Sequence, residues 1–231
     1  MNTETLIQIR GLSKKFKKNG NTSVVLDAID LNVAAGELLL ILGESGCGKT
    51  TFLNLLGDID EADAGEIKID GLGDVRKLGD NRRSDYRNQT IGHVFQTFNL
   101  KKNYTVYENV RVPLLFSTLT KKEAHERVLE AVEAVGLTHR IDHRPPELSE
   151  GQAQRVAIAR AIVNHPKIIL ADEPTGNLDV KTSARITELL LHIQKTRNTT
   201  LVIVTHDPDA KAIADRVLVL EQGKFIERDT L

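Results

Sequence analysis

An eight-residue stretch of the chain could hold a row of phosphate groups: Gly43-Glu44-Ser45-Gly46-Cys47-Gly48-Lys49-Thr50. It matches G-x-x-x-x-G-K-[ST] and lies between an apolar run predicted as a strand, Glu37 to Leu42, and a predicted helix, Phe52 to Leu56. Glycines lack a Cβ atom, so backbone N–H groups can turn inward on an anion, and the following helix adds the positive end of its dipole. Lys49 would reach the outer phosphates and the Thr50 hydroxyl would bind Mg²⁺.

Two carboxylates follow a second apolar run, Ile168 to Ala171. Ligands of open α/β sheets bind at the carboxyl ends of strands, which is where this run would deliver Asp172 and Glu173. Asp172 is placed to hold Mg²⁺ through its water shell, because a hard cation prefers oxygen ligands. Glu173 would align an attacking water and take its proton. Considered alone, the pair could also be two solvated acids ending a strand.

A second anion site is predicted near Leu148-Ser149-Glu150-Gly151-Gln152, which runs into AQRVAIARA. Ser149 is a natural N-cap for a helix from Gln152 to Val163, which ends before Pro166. A helix start with a hydroxyl and the bare amide of Gly151 favours an anion. Two phosphate sites in one domain are one more than a single nucleoside triphosphate needs.

The elements that position these residues alternate between strand and helix. Runs of alternating character, Leu6 to Ile9 and Ser23 to Val33, predict a small antiparallel sheet at the start. The stretch from Tyr104 to Val163 has helical periodicity, and a second strand and helix alternation follows it before a closing hairpin near Gln222-Gly223. The fold class is therefore α/β with a helical insertion.

Composition limits the possible functions. The chain has 231 residues, enough for one α/β domain, and its net charge of −1 gives no field for attracting nucleic acid. A single cysteine, Cys47, cannot form an internal disulfide, which fits a reducing compartment. The longest apolar runs fall far short of the roughly 20 residues of a membrane-spanning helix, and the amino terminus does not look like a targeting signal. We expect a cytoplasmic protein.

Six motifs, in a single order, resemble those of ATP-binding cassette (ABC) proteins along essentially the whole chain. Leu148 to Gln152 resembles the signature motif LSGGQ, with Glu150 in place of a glycine. The other matches are Walker A (Gly43 to Thr51), the Q-loop glutamine (Gln96 in HVFQTFNL), Walker B (Lys167 to Glu173), the D-loop (Thr175 to Asp179) and the switch histidine (His206). Phe16 stands where the family places an aromatic residue against adenine.

The resemblance implies a P-loop NTPase cassette with a RecA-like core, an N-terminal antiparallel β-subdomain and an inserted helical subdomain over approximately residues 97–163. It implies a single nucleotide-binding domain over residues 1–231, with ATP and Mg²⁺ as cofactors. The implied catalytic residues are Glu173, His206 and Gln96, and the implied metal ligands are Thr50, Gln96 and Asp172. The implied nucleotide contacts are Phe16, Gly43, Glu44, Ser45, Gly46, Cys47, Gly48, Lys49, Thr50, Thr51, Ser149, Gly151, Gln152 and Asp179.

The family also implies partners. Two copies pair head to tail, so that each ATP lies between Walker A of one and the signature motif of the other, and Asp179 bridges the protomers. VFQTFNL and ADEPTGNLD most resemble the branch of lipoprotein-releasing, macrolide-efflux and cell-division cassettes, which drive separate integral membrane permease subunits from the inner face of the membrane. A polar amino-acid importer is the nearest alternative; a soluble DNA-repair or translation ATPase, or a P-loop kinase, is disfavoured. No nucleic-acid partner is expected.

Several features have competing interpretations. Asp58, Asp60, Glu61 and Asp63 could hold a metal, but a solvated acidic turn is favoured because no His or Cys accompanies them. Lys14, Lys15, Lys17 and Lys18 could face anionic lipids, but a solvated loop is favoured. Cys47 could be an acidic thiol or simply fill an unconstrained position. Candidate permease contacts that could equally be core residues are Tyr104, Val106 and Tyr107.

Overall fold

A computed structural model describes residues 4–18 and 21–227. The chain divides into two compact units, one with the described residues up to 87 and from 200 onward, the other with residues 88–199. The strands are β1 (Thr5–Lys18), β2 (Asn21–Ala34), β3 (Leu38–Leu42), β4 (Ala64–Ile69), β5 (Gly73–Asp74), β6 (Ile91–Val94), β7 (Ile168–Asp172), β8 (Thr200–Thr205), β9 (Arg216–Glu221) and β10 (Lys224–Glu227). The α-helices are α1 (Lys49–Leu56), α2 (Asp80–Asp85), α3 (Val106–Arg111), α4 (Lys121–Ala134), α5 (Glu150–Ile162) and α6 (Val180–Arg197).

The first unit opens with the predicted antiparallel sheet, in the order β2-β1-β4-β5. Its strands are longer than the sequence predicts, because β1 pairs with β2 as far as Lys18, with several register shifts on the way. The basic segment from Lys14 onward, predicted as a loop, is therefore strand, with Phe16 opposite Ser23. Pairing along the whole length gives the backbone groups of this polar segment their hydrogen bonds.

The first unit also contains parallel strands. β3 lies between β8 and β9 and runs parallel to both, and β9 and β10 form the predicted hairpin. All five residues of β3 are buried, which explains its uninterrupted apolar sequence. The strand delivers the glycine-rich loop directly to α1.

The second unit pairs β6 with β7 in parallel and contains helices α3 to α6. Capping boxes begin α3, α4 and α5, each with a hydroxyl on one side and a Glu or Gln on the other. Helix α4 ends just before Gly136, whose φ of +69° suits a glycine, as the sequence predicts. Within the described ranges, no helix is long and apolar enough to cross a membrane.

The acidic segment after α1 is only partly solvated: Glu61 and Asp63 are exposed as predicted, whereas Asp58 is buried. The Asp58 side chain is only 5% exposed and forms 2.6 Å ion pairs with Arg83 and Arg87. The hydrogen bonds that Arg83 donates to the Asp58 carboxylate raise the pKa of the Arg83 guanidinium. Among the described residues, no group of three or more His, Cys, Asp or Glu side chains could hold a metal ion.

The basic segment meets the same acidic segment. Lys14 is buried, and its Nζ lies 2.8 Å from an Asp60 carboxylate oxygen and 2.6 Å from the Glu61 carbonyl oxygen. The hydrogen bond from Lys14 lowers the pKa of the Asp60 carboxyl. The predicted solvated loop is therefore wrong for Lys14, because a residue 46 positions away supplies its counter-charge.

Replacing Asp58 by Asn should destabilise the protein by about 1–2 kcal/mol, because Arg83 and Arg87 lose their hydrogen bonds to a buried carboxylate but are themselves partly solvated. The free energy of unfolding is measured from urea denaturation curves. Asp85→Asn is the matched control, since Asp85 is exposed on α2 and the charge change is the same. Equal stabilities for the two variants would contradict a structural role for the Asp58 ion pairs.

Candidate nucleotide site

The predicted phosphate loop joins β3 to α1 in the first unit. Gly46 and Gly48 adopt φ values of +80° and +113°, in the left-handed region that favours glycine. A Cβ atom on Gly48 would lie 2.7 Å from Cγ1 of Val25, and one on Gly43 would lie 2.8 Å from the carbonyl oxygen of Leu220. Gly48 is thus required by crowding as well as by its φ, and Gly43 is required by crowding.

Lys49 begins α1, with Gly48 at the N-cap. The Lys49 residue is only 6% exposed, and its Nζ donates to the carbonyl oxygens of Gly43 at 2.7 Å and Glu44 at 3.0 Å. Its ammonium group is therefore held against the loop rather than extended into solvent. Thr50 is exposed and Thr51 is half-buried at the first turn of the helix.

Of the remaining predicted residues of the first unit, Glu44, Ser45 and Cys47 lie in the loop, and Phe16 and His206 lie on other elements. Phe16 is 44% exposed on β1, and Lys14 Nζ lies 5.1 Å from the centre of its ring. His206 follows β8 directly and is exposed. Cys47 is half-buried, and a Cβ atom on Gly43 would lie 2.6 Å from its Sγ, so this position is packed against the loop.

In the second unit, Asp172 is the last residue of β7 and Glu173 follows it. Glu173 is 9% exposed and has a φ of +44°, which is unusual for a residue with a Cβ atom. The Gly176 N–H donates to the Glu173 carbonyl oxygen at 3.1 Å and closes the turn. Surrounding contacts must hold this conformation, because it is unfavourable by itself.

Gln96 lies close to the segment that follows Glu173. Asn177 Nδ2 donates to the Gln96 carbonyl oxygen at 3.3 Å, and a Cβ atom on Gly176 would lie 3.6 Å from the Gln96 amide nitrogen. The loops after β6 and β7 therefore meet. The sequence did not single out Asn177, although it stands inside the predicted D-loop stretch.

The start of α5 has the predicted cap. Ser149 Oγ accepts from the Gln152 N–H at 3.3 Å, and Gln152 Oε1 accepts from the Ser149 N–H at 2.9 Å. Gly151 is buried, and a Cβ atom there would lie 2.4 Å from Cγ2 of Thr182 in α6. A glycine is therefore required at position 151 by the close packing of α5 on α6, in addition to the predicted amide contact. Glu150 is exposed in the first helical turn.

Asp179 caps α6, accepting from the N–H groups of Lys181 and Thr182 at 3.1 Å each. Hydrogen bonds from Thr182 lower the pKa of the Asp179 carboxyl. A further residue that the sequence did not suggest is Gln154, fully buried in α5, whose Nε2 donates to the Pro174 carbonyl oxygen at 2.6 Å. The sequence feature that could have pointed to Gln154 is its position as an amide among mostly apolar residues on the buried face of α5.

The predicted metal ligands fit a hard cation. Thr50 would offer a hydroxyl oxygen, Asp172 a carboxylate and Gln96 an amide oxygen, which is the donor set that Mg²⁺ prefers. Thr50 belongs to the first unit, and Asp172 and Gln96 belong to the second.

A comparison with protein families identifies the chain. The family model described as ABC transporter matches residues 26–176, which include the phosphate loop, the signature segment and Glu173. The chain belongs to the ABC transporter family. The resemblance and the predicted fold class are confirmed, and the cassette is an ATP-binding subunit and an ATPase.

Relatives of this cassette cover nearly its whole length. The uncharacterized ABC transporter ATP-binding protein YvrO of Bacillus subtilis is 42% identical over 96% of both chains. The lipoprotein-releasing system ATP-binding protein LolD of Xanthomonas oryzae pv. oryzae is 45% identical over 96% of this chain and 91% of its own. A dimeric post-hydrolysis structure of the ATP-binding cassette MJ0796 bound to ADP and Pi is 37% identical, with a TM-score of 0.88 over 98% of this chain and 99% of its own.

Proposed function

We propose that two copies of this cassette bind two ATP molecules head to tail and drive a separate membrane permease of the export type. The observation that supports the pairing is the presence of two predicted phosphate sites at helix starts, Gly48 before α1 and Ser149 before α5, in different units. One triphosphate uses one of them. In a symmetric dimer, the second serves the ATP held by the partner.

The phosphate chain of ATP is assigned to the loop before α1. Backbone N–H groups of the loop and the Lys49 ammonium bind the phosphates, and Phe16 stacks on the adenine. Thr50, Asp172 and Gln96 would hold Mg²⁺, which neutralises charge on the phosphate oxygens when bound. Ser149 and Gly151 of the partner approach the terminal phosphate from the opposite side.

Glu173 is proposed as the general base. Its carboxylate accepts a hydrogen bond from the attacking water and takes its proton as the water approaches the γ-phosphorus in line. His206 is assigned to hold the γ-phosphate and the water, and Asp179 to bridge the protomers. ATP binding then closes the dimer and hydrolysis reopens it.

The export branch is proposed from the relatives, since LolD is named for a lipoprotein-releasing system. The cassette would work in the cytoplasm on the inner face of the membrane, bound to permease subunits. Of the three candidate contacts, Val106 is buried and serves the core, whereas Tyr104 is exposed and Tyr107 is half-buried. Tyr104 and Tyr107 therefore stay as candidates for the permease contact.

A pull-down from native membranes tests the transport proposal. Tagged Glu173→Gln protein is used with ATP and Mg²⁺, which should trap the closed dimer with its partners, and mass spectrometry identifies them. Recovery of a four-helix permease with a large extracytoplasmic domain is expected. Recovery of ribosomal or DNA-repair components without a membrane protein would overturn the transport proposal and leave the ATPase assignment intact.

Glu150 should weaken dimer closure, because its exposed carboxylate is proposed to approach the triphosphate of the partner's ATP. We expect Glu150→Gln to lower the ATP concentration for half-maximal dimerisation by roughly threefold at low salt, with a smaller difference at high salt. Sedimentation velocity in a Glu173→Gln background measures this. The matched control is Glu133→Gln, which removes an exposed carboxylate from α4, a helix without a predicted nucleotide contact. An equal change in both variants would contradict the assignment.

A further inference from the structure

Gln154 is a buried polar residue that the proposed chemistry does not use. Its side chain is fully buried in α5, where its neighbours Val156, Ala157 and Ile158 are also buried. The amide Nε2 donates to the Pro174 carbonyl oxygen at 2.6 Å, and the buried Oε1 accepts no hydrogen bond from the residues that the structure describes. Burying an amide with one acceptor unsatisfied is costly, so its presence in this helix calls for a reason.

The acceptor of this hydrogen bond lies next to the proposed base. Pro174 follows Glu173, whose φ of +44° places it in the left-handed region. A conformation of this kind persists only when its surroundings fix it. Among the hydrogen bonds on this turn, Gly176 N–H donates to the Glu173 carbonyl oxygen, and Gln154 donates to the next carbonyl along the chain.

The helix that carries the donor, α5, also begins at a predicted phosphate site. Helix α5 is capped by Ser149, and its Gly151 packs closely on Thr182 in α6. Gln154 therefore links a helix start proposed to serve one ATP to a carboxylate proposed to serve the other. Gln154 and Glu173 lie in the same unit, so the link between them is internal to that unit.

We propose that Gln154 is a positioning residue for the reaction: its amide N–H holds the Pro174 carbonyl and thereby keeps the Glu173 carboxylate aimed at the attacking water. The proposal rests on Glu173 acting as the base. Because the Gln154 side chain is fully buried and acts through the Pro174 carbonyl, its loss should reduce kcat and leave the KM for ATP unchanged. A displacement of about 1 Å at a reacting group can lower a rate by roughly a hundredfold, so a fall in kcat of tenfold or more is expected.

The test compares two full-length variants of α5. Gln154→Met removes the donor at similar volume, and Ile158→Met is the matched control, because Ile158 is fully buried one turn further along the helix. ATPase kinetics and thermal unfolding are measured for both. The proposal predicts a loss of kcat in Gln154→Met alone, at an unchanged KM. Equal kcat values in the two variants, or a raised KM with kcat intact, would overturn it.

Gln154→Glu supplies a second readout that general damage to the core would not produce. Burial raises the pKa of a carboxyl group, and its neutral form can donate to the Pro174 carbonyl, whereas the ionised form cannot. The rate of this variant relative to the unmodified protein should therefore rise on acidification, while the relative rate of Gln154→Met stays flat. A flat ratio for both variants counts against the proposal. Glu173→Gln is assayed alongside to separate the two proposals. Full turnover by Glu173→Gln would refute the assignment of Glu173 as the base. Lost turnover by Glu173→Gln together with a fully active Gln154→Met would refute only the role of Gln154.

Discussion

Glu173→Gln should lower the rate of ATP hydrolysis by at least roughly a hundredfold while leaving ATP binding intact. The amide has the shape of the carboxylate but cannot take a proton from the attacking water. Since ATP is bound and not consumed, the closed dimer should accumulate. Steady-state phosphate release and size-exclusion chromatography with ATP and Mg²⁺ measure the two effects.

Glu188→Gln is the control for this change, because Glu188 is exposed on α6 and loses the same charge. It should hydrolyse ATP at the unmodified rate and show no stable dimer. Turnover by Glu173→Gln at the rate of Glu188→Gln would refute the assignment of the base. A slow Glu173→Gln variant that has also lost ATP affinity would point to a binding role instead.

The phosphate loop and the carboxylate pair could be predicted from the sequence because the residues of each motif are neighbours along the chain. A turn that must curl around phosphate needs glycines and a following helix within a few residues, and the sequence shows all of these together. The N-cap at Ser149 was predictable for the same reason, since its partner Gln152 is three residues away. Such contacts depend on spacing along the chain.

The ion pairs around Lys14 could not be predicted from residue spacing. Lys14 and Asp60 each sit in a segment of like charges, and each segment by itself resembles a solvated surface. Only the pairing of β1 with β4 brings the two segments together. The burial of Asp58 between two arginines depends likewise on contacts 25 and 29 residues apart along the chain.

Site residues that act through the backbone were missed for a related reason. Asn177 and Gln154 bind carbonyl oxygens of Gln96 and Pro174, and a carbonyl has the same chemistry at every position. The side chain that reaches it is decided by how the loops after β6 and β7 fold against α5. A sequence pattern records the reacting carboxylate, but not the groups that orient it.

The proposed head-to-tail dimer can be distinguished from a site built within one chain by mixing two inactive variants. Lys49→Ala should disable phosphate binding, and Ser149→Arg should block the opposite face with a bulky charged side chain. Each variant alone should hydrolyse ATP at least roughly a hundredfold more slowly than the unmodified protein. In a mixed dimer, however, one of the two sites combines an intact Lys49 with an intact Ser149.

Mixing equal amounts of the two inactive variants should therefore restore about a quarter of the unmodified rate, since half of the dimers are mixed and each carries one intact site of two. The control mixes Lys49→Ala with the double variant Lys49→Ala/Ser149→Arg, in which no pairing assembles an intact site. Differently tagged chains, cross-linked during turnover with ATP and Mg²⁺, confirm that mixed dimers form in the first mixture. Recovery in the first mixture alone requires Lys49 and Ser149 to act on one ATP from opposite protomers, because the two substitutions never share a chain. Mixed dimers without recovered activity would contradict an arrangement in which one intact site, built from Lys49 of one protomer and Ser149 of the other, is enough for hydrolysis.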